Sequence, residues 1–191
     1  LYPEYPFDRY RFGDVTVYVE GVVYNRETQT LKYELEQRGS QREKSLTDPE
    51  WLRSLDGEFV FYVYDAAAAE MEIVPDLLGQ LPLFYATNTE YALIGRNKPI
   101  LARLSGCDTF DQMAVAQYLR LGYALTDRTL YTDIRRVPEG HHVQVDTETG
   151  DLDVHQHHEF NLEGEPNGSN AVKVNARELA TRFTDACRRR R

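Results

Sequence analysis

The stretch FVFYVYD, Phe59 to Asp65, narrows most sharply what this chain can become. It is an unbroken run of aromatic and β-branched side chains, the composition of a strong strand. A second run, VTVYVEGVVY, sets Val15, Val17, Val19 and Val23 at the two-residue period of a half-buried strand. MEIVPD (Met71 to Asp76), PLFYA and YALIG follow, separated by the turns AAAAE, LLGQ and TNTE. Successive strand–turn–strand steps predict an antiparallel meander at the heart of the domain.

The remaining segments read differently. YNRETQTLKYELEQRGSQREKSLTDPE is polar, and predicts a turn, a weak strand or helix around Leu31 to Leu35, and a long loop. After Gly95 the spacing turns helical: Ile100, Leu101 and Leu104 mark a short helix. FDQMAVAQYLRLGY marks a clearer one, with Asp111 as its N-cap. VPEGHHVQVDTETGDLDVHQHHEF predicts a hairpin turning over Thr147 to Gly150. A Gly/Pro/Asn-rich linker covers 161–170, and a final amphipathic helix carries Leu179, Phe183 and Cys187. The class is α+β, with one domain over 1–160, the linker, and a helix of a further unit over 171–191.

Charge and cysteine content exclude several functions. The net charge is −9, from 31 acids against 22 bases, which opposes the basic face a duplex nucleic-acid binder needs. The only lysines are Lys32, Lys44, Lys98 and Lys173, and such an acidic, Lys-poor surface fits a protein kept soluble in high salt and equally fits ordinary compositional drift. No run is long and apolar enough to cross a membrane, so the expectation is a cytoplasmic protein with no membrane partner. Cys107 and Cys187 have no metal-ligand spacing and predict no disulfide framework. His155 and His157 share a face of the predicted last strand, where a solvated face is favoured over a metal site. The chain opens at Leu1 and stops at CRRRR, which reads as a piece of something longer.

Four elements in order resemble the asparagine synthetases, glutamine-dependent ligases with a class II amidotransferase domain. Leu55, Gly57, Phe59, Tyr64 and Asp65 match that family's LxGxFAFxxYD strand. Asp76, Gly79, Pro82, Leu83 and Tyr85 match its RDxxGxxPLYY turn, and Lys98 keeps the Lys of SExKAL. Tyr118, Leu119, Gly122, Tyr123, Thr129, Leu130, Ile134, Pro138, Gly140 and His141 match YLxxGYxxxxxTLxxxIxxLxPGH. The resemblance implies an N-terminal-nucleophile (Ntn) hydrolase-like αββα sandwich of antiparallel sheets, here incomplete. It also implies a glutaminase reaction in which a Cys thiolate attacks the amide while backbone and Asn donors hold the oxyanion.

EGVVYN lies where the family has NGEIYN. Gly21, Tyr24 and Asn25 are kept, but the oxyanion Asn is Glu20 and the substrate-facing Glu is Val22. Asp48, in TDPE, matches the Asp that holds the glutamine ammonium, which leaves Gly21, Asn25 and Asp48 as a degenerate glutamine pocket. The Arg of the turn motif is Pro75, and the Glu of SExKAL is Arg96. No catalytic residue, cofactor or metal ligand is assigned to this chain. The resemblance places ATP and Mg²⁺ in a synthetase domain that would be its partner, with glutamine or ammonia and an aspartate-like acceptor as substrates. A homodimer is allowed. A scaffold, or the degenerate domain of a β-lactam synthetase or macrolactam cyclase, is the alternative.

Overall fold

A computed structural model describes residues 5–40, 46–88, 91–160 and 171–190; the linker over 161–170 and Leu1 lie outside them. The elements run β1 (Phe7–Phe12), β2 (Val15–Val23), α1 (Thr28–Ser40), α2 (Pro49–Ser54), β3 (Gly57–Asp65), β4 (Glu70–Pro75), β5 (Phe84–Thr87) and β6 (Ala92–Gly95). They continue with α3 (Lys98–Ser105), α4 (Gln112–Leu121), β7 (Arg135–Arg136), β8 (His141–Asp146), β9 (Leu152–Gln156) and α5 (Ala171–Arg189). A six-stranded antiparallel sheet has the order β1-β2-β3-β4-β8-β9, and a three-stranded one the order β6-β5-β7.

Side-chain alternation sorts these elements into four layers. On one face of the large sheet Val17, Val19, Phe59, Phe61 and Val74 meet Leu31 and Leu35 of α1 and Trp51 and Leu52 of α2. On the other face Val60, Ile73, Val143 and Val145 meet Leu83, Tyr85 and Ile94, which come from the small sheet and its approach. The outer face of the small sheet, Phe84 and Ala86, is covered by Leu101 and Ala102 of α3 together with Ile134. Helix, sheet, sheet, helix is the αββα sandwich of an Ntn-hydrolase-like fold.

Two expectations change. The meander is not one sheet: β2, β3 and β4 are consecutive neighbours, but β5 and β6 belong to the second sheet. β8 rather than β5 takes the free edge of β4, and β5 and β6 stack on the Val60 and Ile73 face as a second sheet. The polar segment after Asn25 is not mainly loop but the 13-residue α1. Its anchors, Leu31 and Leu35, lie four apart and are 7% and 0% exposed, enough to fix one helical face. A strand before β2, Phe7–Phe12, was not legible; it pairs along the whole of β2's first half, Phe12 with Val15 to Phe7 with Glu20.

Local signals fix the ends of the helices. Asp48 caps α2 by accepting from Glu50 N at 3.0 Å, with Pro49 following at the first turn, where a missing N–H costs nothing. Asn97 caps α3 through Ile100 N at 3.1 Å. Asp111 caps α4 through Met113 N at 2.9 Å and Ala114 N at 3.1 Å, as its position predicts. No helix among the described residues is long and apolar enough to cross a membrane.

Candidate functional site

Glu20, Gly21 and Val22 occupy the second half of β2, opposite Val60, Phe59 and Glu58 of β3. Gly21 is held at φ +95°, and a Cβ there would meet Glu58 O at 2.0 Å and Leu81 Cδ1 at 2.9 Å. The glycine is therefore required by close approach within a strand rather than by a turn. Its N–H donates to Pro6 O at 2.9 Å. That amide is the kind of backbone donor an oxyanion hole uses, and here it is already spent.

Glu20 is surrounded by donors. Arg96 Nη1 reaches Oε1 at 2.6 Å, Tyr62 Oη donates to Oε2 at 2.8 Å, and Tyr5 Oη also donates to Oε1. Arg96 Nη1 in turn contacts Tyr5 Oη at 2.6 Å. Burial alone would raise the Glu20 carboxyl, but hydrogen bonds from Tyr5, Arg96 and Tyr62 and the Arg96 charge hold it below the usual carboxylate range. Burial first, and the Glu20 hydrogen bond second, push the Tyr62 phenol far up, so it stays a donor. Position 20 thus carries a fixed negative charge. The two residues that replace a neutral amide and a carboxylate of the resembled motifs, Glu20 and Arg96, have become each other's partner.

Val22 is 41% exposed and carries nothing polar. Glu58, directly across the ladder from it, brings a carboxylate to the same face. Tyr24 Oη lies 3.4 Å from that carboxylate. No motif marks Glu58, and only the strand register reveals it.

Asn25 and Asp48 take structural roles at opposite ends of α2. Asn25 donates from Nδ2 to Ser54 O at 2.8 Å and accepts from Asp56 N at 2.9 Å, tying the end of β2 to the start of β3. Asp48 pairs with Arg38 at 3.1 Å, and the Arg38 guanidinium lies 4.4 Å over the Trp51 ring. Burial pushes the Asp48 carboxyl up, and the Glu50 amide and Arg38 outweigh that to leave it lowered. Neither is joined to Glu20 or Gly21 by a hydrogen bond or ion pair among the described residues. Asp76 accepts from Leu78 N at 3.1 Å and from Gln80 N at 3.1 Å, and so builds the turn that holds Gly79.

The histidines meet in a pairing that the sequence did not show. His157 follows the end of β9, and its Nδ1 lies 3.4 Å from Nδ1 of His142 on β8; His155 lies opposite His142 across the ladder. Burial is the first cause, and neighbouring imidazoles the second, that lower His142 and His157 to about 4. Glu72 Oε1 is 3.6 Å from His142 Nε2, but an imidazole so depressed is no charged partner at neutral pH. Among the described residues no group of three or more His, Cys, Asp or Glu gathers that would hold a metal ion.

Residues 4–157 match the glutamine amidotransferase domain family. Similar solved structures include glutamine phosphoribosylpyrophosphate amidotransferase from B. subtilis complexed with ADP and GMP, 14% identical over 82% of this chain and 32% of that one, with a TM-score of 0.43. Another is described as the allosteric regulatory enzyme of purine biosynthesis, 12% identical over 82% of this chain and 31% of that one, with a TM-score of 0.45. The chain thus spans about a third of the length of these structures. No curated protein matches it.

Proposed function

Because this chain belongs to the glutamine amidotransferase domain family, we propose that it is the amidotransferase-like part of an asparagine synthetase relative, with a disarmed glutaminase pocket. The parent protein forms an amide at the expense of ATP and takes free ammonia rather than glutamine as its nitrogen source. The observation that carries the reading is the Glu20–Arg96 pair, 2.6 Å, with Tyr62 on the second carboxylate oxygen.

The chemistry follows from where charge develops. Attack on a glutamine amide places negative charge on its oxygen, and donors aimed at that oxygen lower the barrier. Glu20 offers a carboxylate instead of a donor, and its depressed pKa keeps it ionised through the neutral range. The Gly21 amide is occupied by Pro6 O. Losing one such donor typically costs ~10²–10³ in rate, and both are lost here. Val22 cannot meet a substrate ammonium, and Asn25 and Asp48 are engaged with α2. ATP and Mg²⁺ are assigned in this reading to the parent's synthetase part.

The test is a glutaminase assay on the full parent protein, with glutamine titration calorimetry beside it. Glutamate release should stay at background and the calorimetric trace should stay flat. Turnover of glutamine, at any rate above the buffer control, would end the disarmed-pocket reading.

A scaffold reading has its own support in α4. Of its residues only Ala114 is buried, whereas Met113, Leu119 and Leu121 are exposed, Leu119 to 81%. A helix so apolar and so uncovered suits a docking face for the parent's synthetase part. Replacing Leu119 by Asp should weaken association of the two parts when they are expressed separately; unchanged co-elution would remove this reading.

A further inference from the structure

We propose that the basin between β5, the start of α3 and the segment after α4 binds a small molecule bearing an oxyanion, phosphate or carboxylate, on an aromatic ring. This does not rest on the glutamine-pocket reading. The basin holds about 430 Å³, and Lys98, Arg128 and Arg136 line it with no carboxylate among its lining residues. A chain of net charge −9 has gathered three cations round one cavity. Arg128 is matched by Asp111 at 2.5 Å and Arg136 by Glu139 at 2.6 Å. Lys98 has no carboxylate partner among the described residues, and its ammonium lies 5.0 Å from the Phe84 ring centre. The basin therefore keeps uncompensated positive charge beside a low-dielectric wall, the arrangement that concentrates an anion.

Two further observations converge there. Arg136, a lining residue, keeps a buried Nε–H with no acceptor among the described residues, as Arg96 does outside the basin, and such a group ordinarily finds a partner. Thr126, another lining residue, sits at φ +60°. A β-branched residue in the left-handed region is strained by about 1–3 kcal/mol, and such strain gathers at ligand sites. The size and walls choose the rest of the ligand. The volume is far larger than a bare phosphate needs, and Phe84, Tyr118 and Tyr123 supply ring faces. Tyr118 and Tyr123 are 52% and 60% exposed, so the mouth is open to a ring arriving from solvent.

The experiment is titration calorimetry of this chain at low salt with phenyl phosphate, benzoate, inorganic phosphate and benzyl alcohol as separate probes. One of the two aryl anions should bind at a single site, about tenfold tighter than inorganic phosphate or benzyl alcohol; whichever wins names the oxyanion. Lys98→Met should weaken it by about tenfold or more, as removal of a charged hydrogen-bond partner does. Lys98→Arg should retain it, and Lys32→Met on α1 should leave it unchanged. Equal binding of benzyl alcohol, wild-type affinity in Lys98→Met, loss in Lys98→Arg with the fold intact, or no anion binding up to about 10 mM would each overturn the proposal. Should Lys98→Met fail to fold, the salt dependence of wild-type binding decides: affinity that does not fall with added salt overturns it equally.

Discussion

Arg96 and Lys98 are two residues apart in sequence, and their charges do opposite things. At Arg96 the cation is consumed: Glu20 and Tyr5 take its Nη1, and Tyr62 completes the carboxylate's partners. At Lys98 the cation faces a cavity and, among the described residues, meets only an aromatic ring. The first region pairs its charges with each other, although the Arg96 Nε–H stays buried without an acceptor among the described residues. The second is unfinished, and an unfinished charge beside apolar walls is what a ligand can complete. The presence of charged residues thus says less about function than whether their charges are already answered.

The sharpest way to break this contrast is through the glycines of the two regions. Gly21→Ala should cost more than about 3 kcal/mol or prevent folding, because a Cβ would sit 2.0 Å from Glu58 O at φ +95°. Gly79→Ala, beside the basin, faces nothing nearer than 3.7 Å at φ +58° and should cost only about 1–2 kcal/mol of backbone strain. Urea denaturation of both variants checks the pair, and similar losses would mean that the packing around Gly21 is looser than it appears in the ladder.

Next in size is Arg96→Met. It strands a half-buried carboxylate, and with both side chains partly solvated the loss should be about 1–3 kcal/mol at pH 7. The sign with pH follows from the Glu20 shift. A carboxyl lowered on folding contributes stability that is fully present above its ordinary pKa and is lost as pH falls through the lowered value. The difference between wild type and Arg96→Met should therefore shrink at pH 3, and denaturation curves at the two pH values test it.

The histidine pair gives a third effect in a separate window. His142 and His157 bind protons at about 4 when folded, against about 6.5 in an unfolded chain. Between these values the unfolded state holds more protons, so stability should fall as pH drops from about 6.5 towards about 4. The double variant His142→Gln, His157→Gln should flatten that slope, read from urea midpoints at pH 7 and pH 5. The smallest expected effect is Lys98→Met, which loses at most a cation–π contact of about 1 kcal/mol. A larger thermal shift there than for Arg96→Met would reverse the comparison from which the two regions were distinguished.

Local patterns were legible in proportion to how local their causes are. The alternation of β2 and the run of β3 read as strands because period two needs no knowledge of the partner. Asp111 read as a cap because a cap bonds within three residues. The β8–β9 hairpin read correctly because Asp146 organises its own turn, accepting from Glu148 N and Thr149 N at 2.8 Å. α1 was only half legible, since two leucines in a polar segment support a helix once a sheet lies beneath them and little before. Glu58 was invisible because its relation to Val22 is a matter of register.

By itself the sequence determined the α+β class, the strands from β2 to β6, the Asp111 cap and a resemblance to the asparagine synthetases, of which the amidotransferase domain is shown. It also showed that positions 20, 22 and 96 depart from the resembled motifs. Only the tertiary structure decided what those departures mean. Glu20 and Arg96 are joined across a sequence separation of 76 residues, and no local pattern carries a contact that long. The same holds for the division of strands between two sheets and for the basin around Lys98. Each depends on which buried face is already covered, and that is a property of the packed chain rather than of any segment in it.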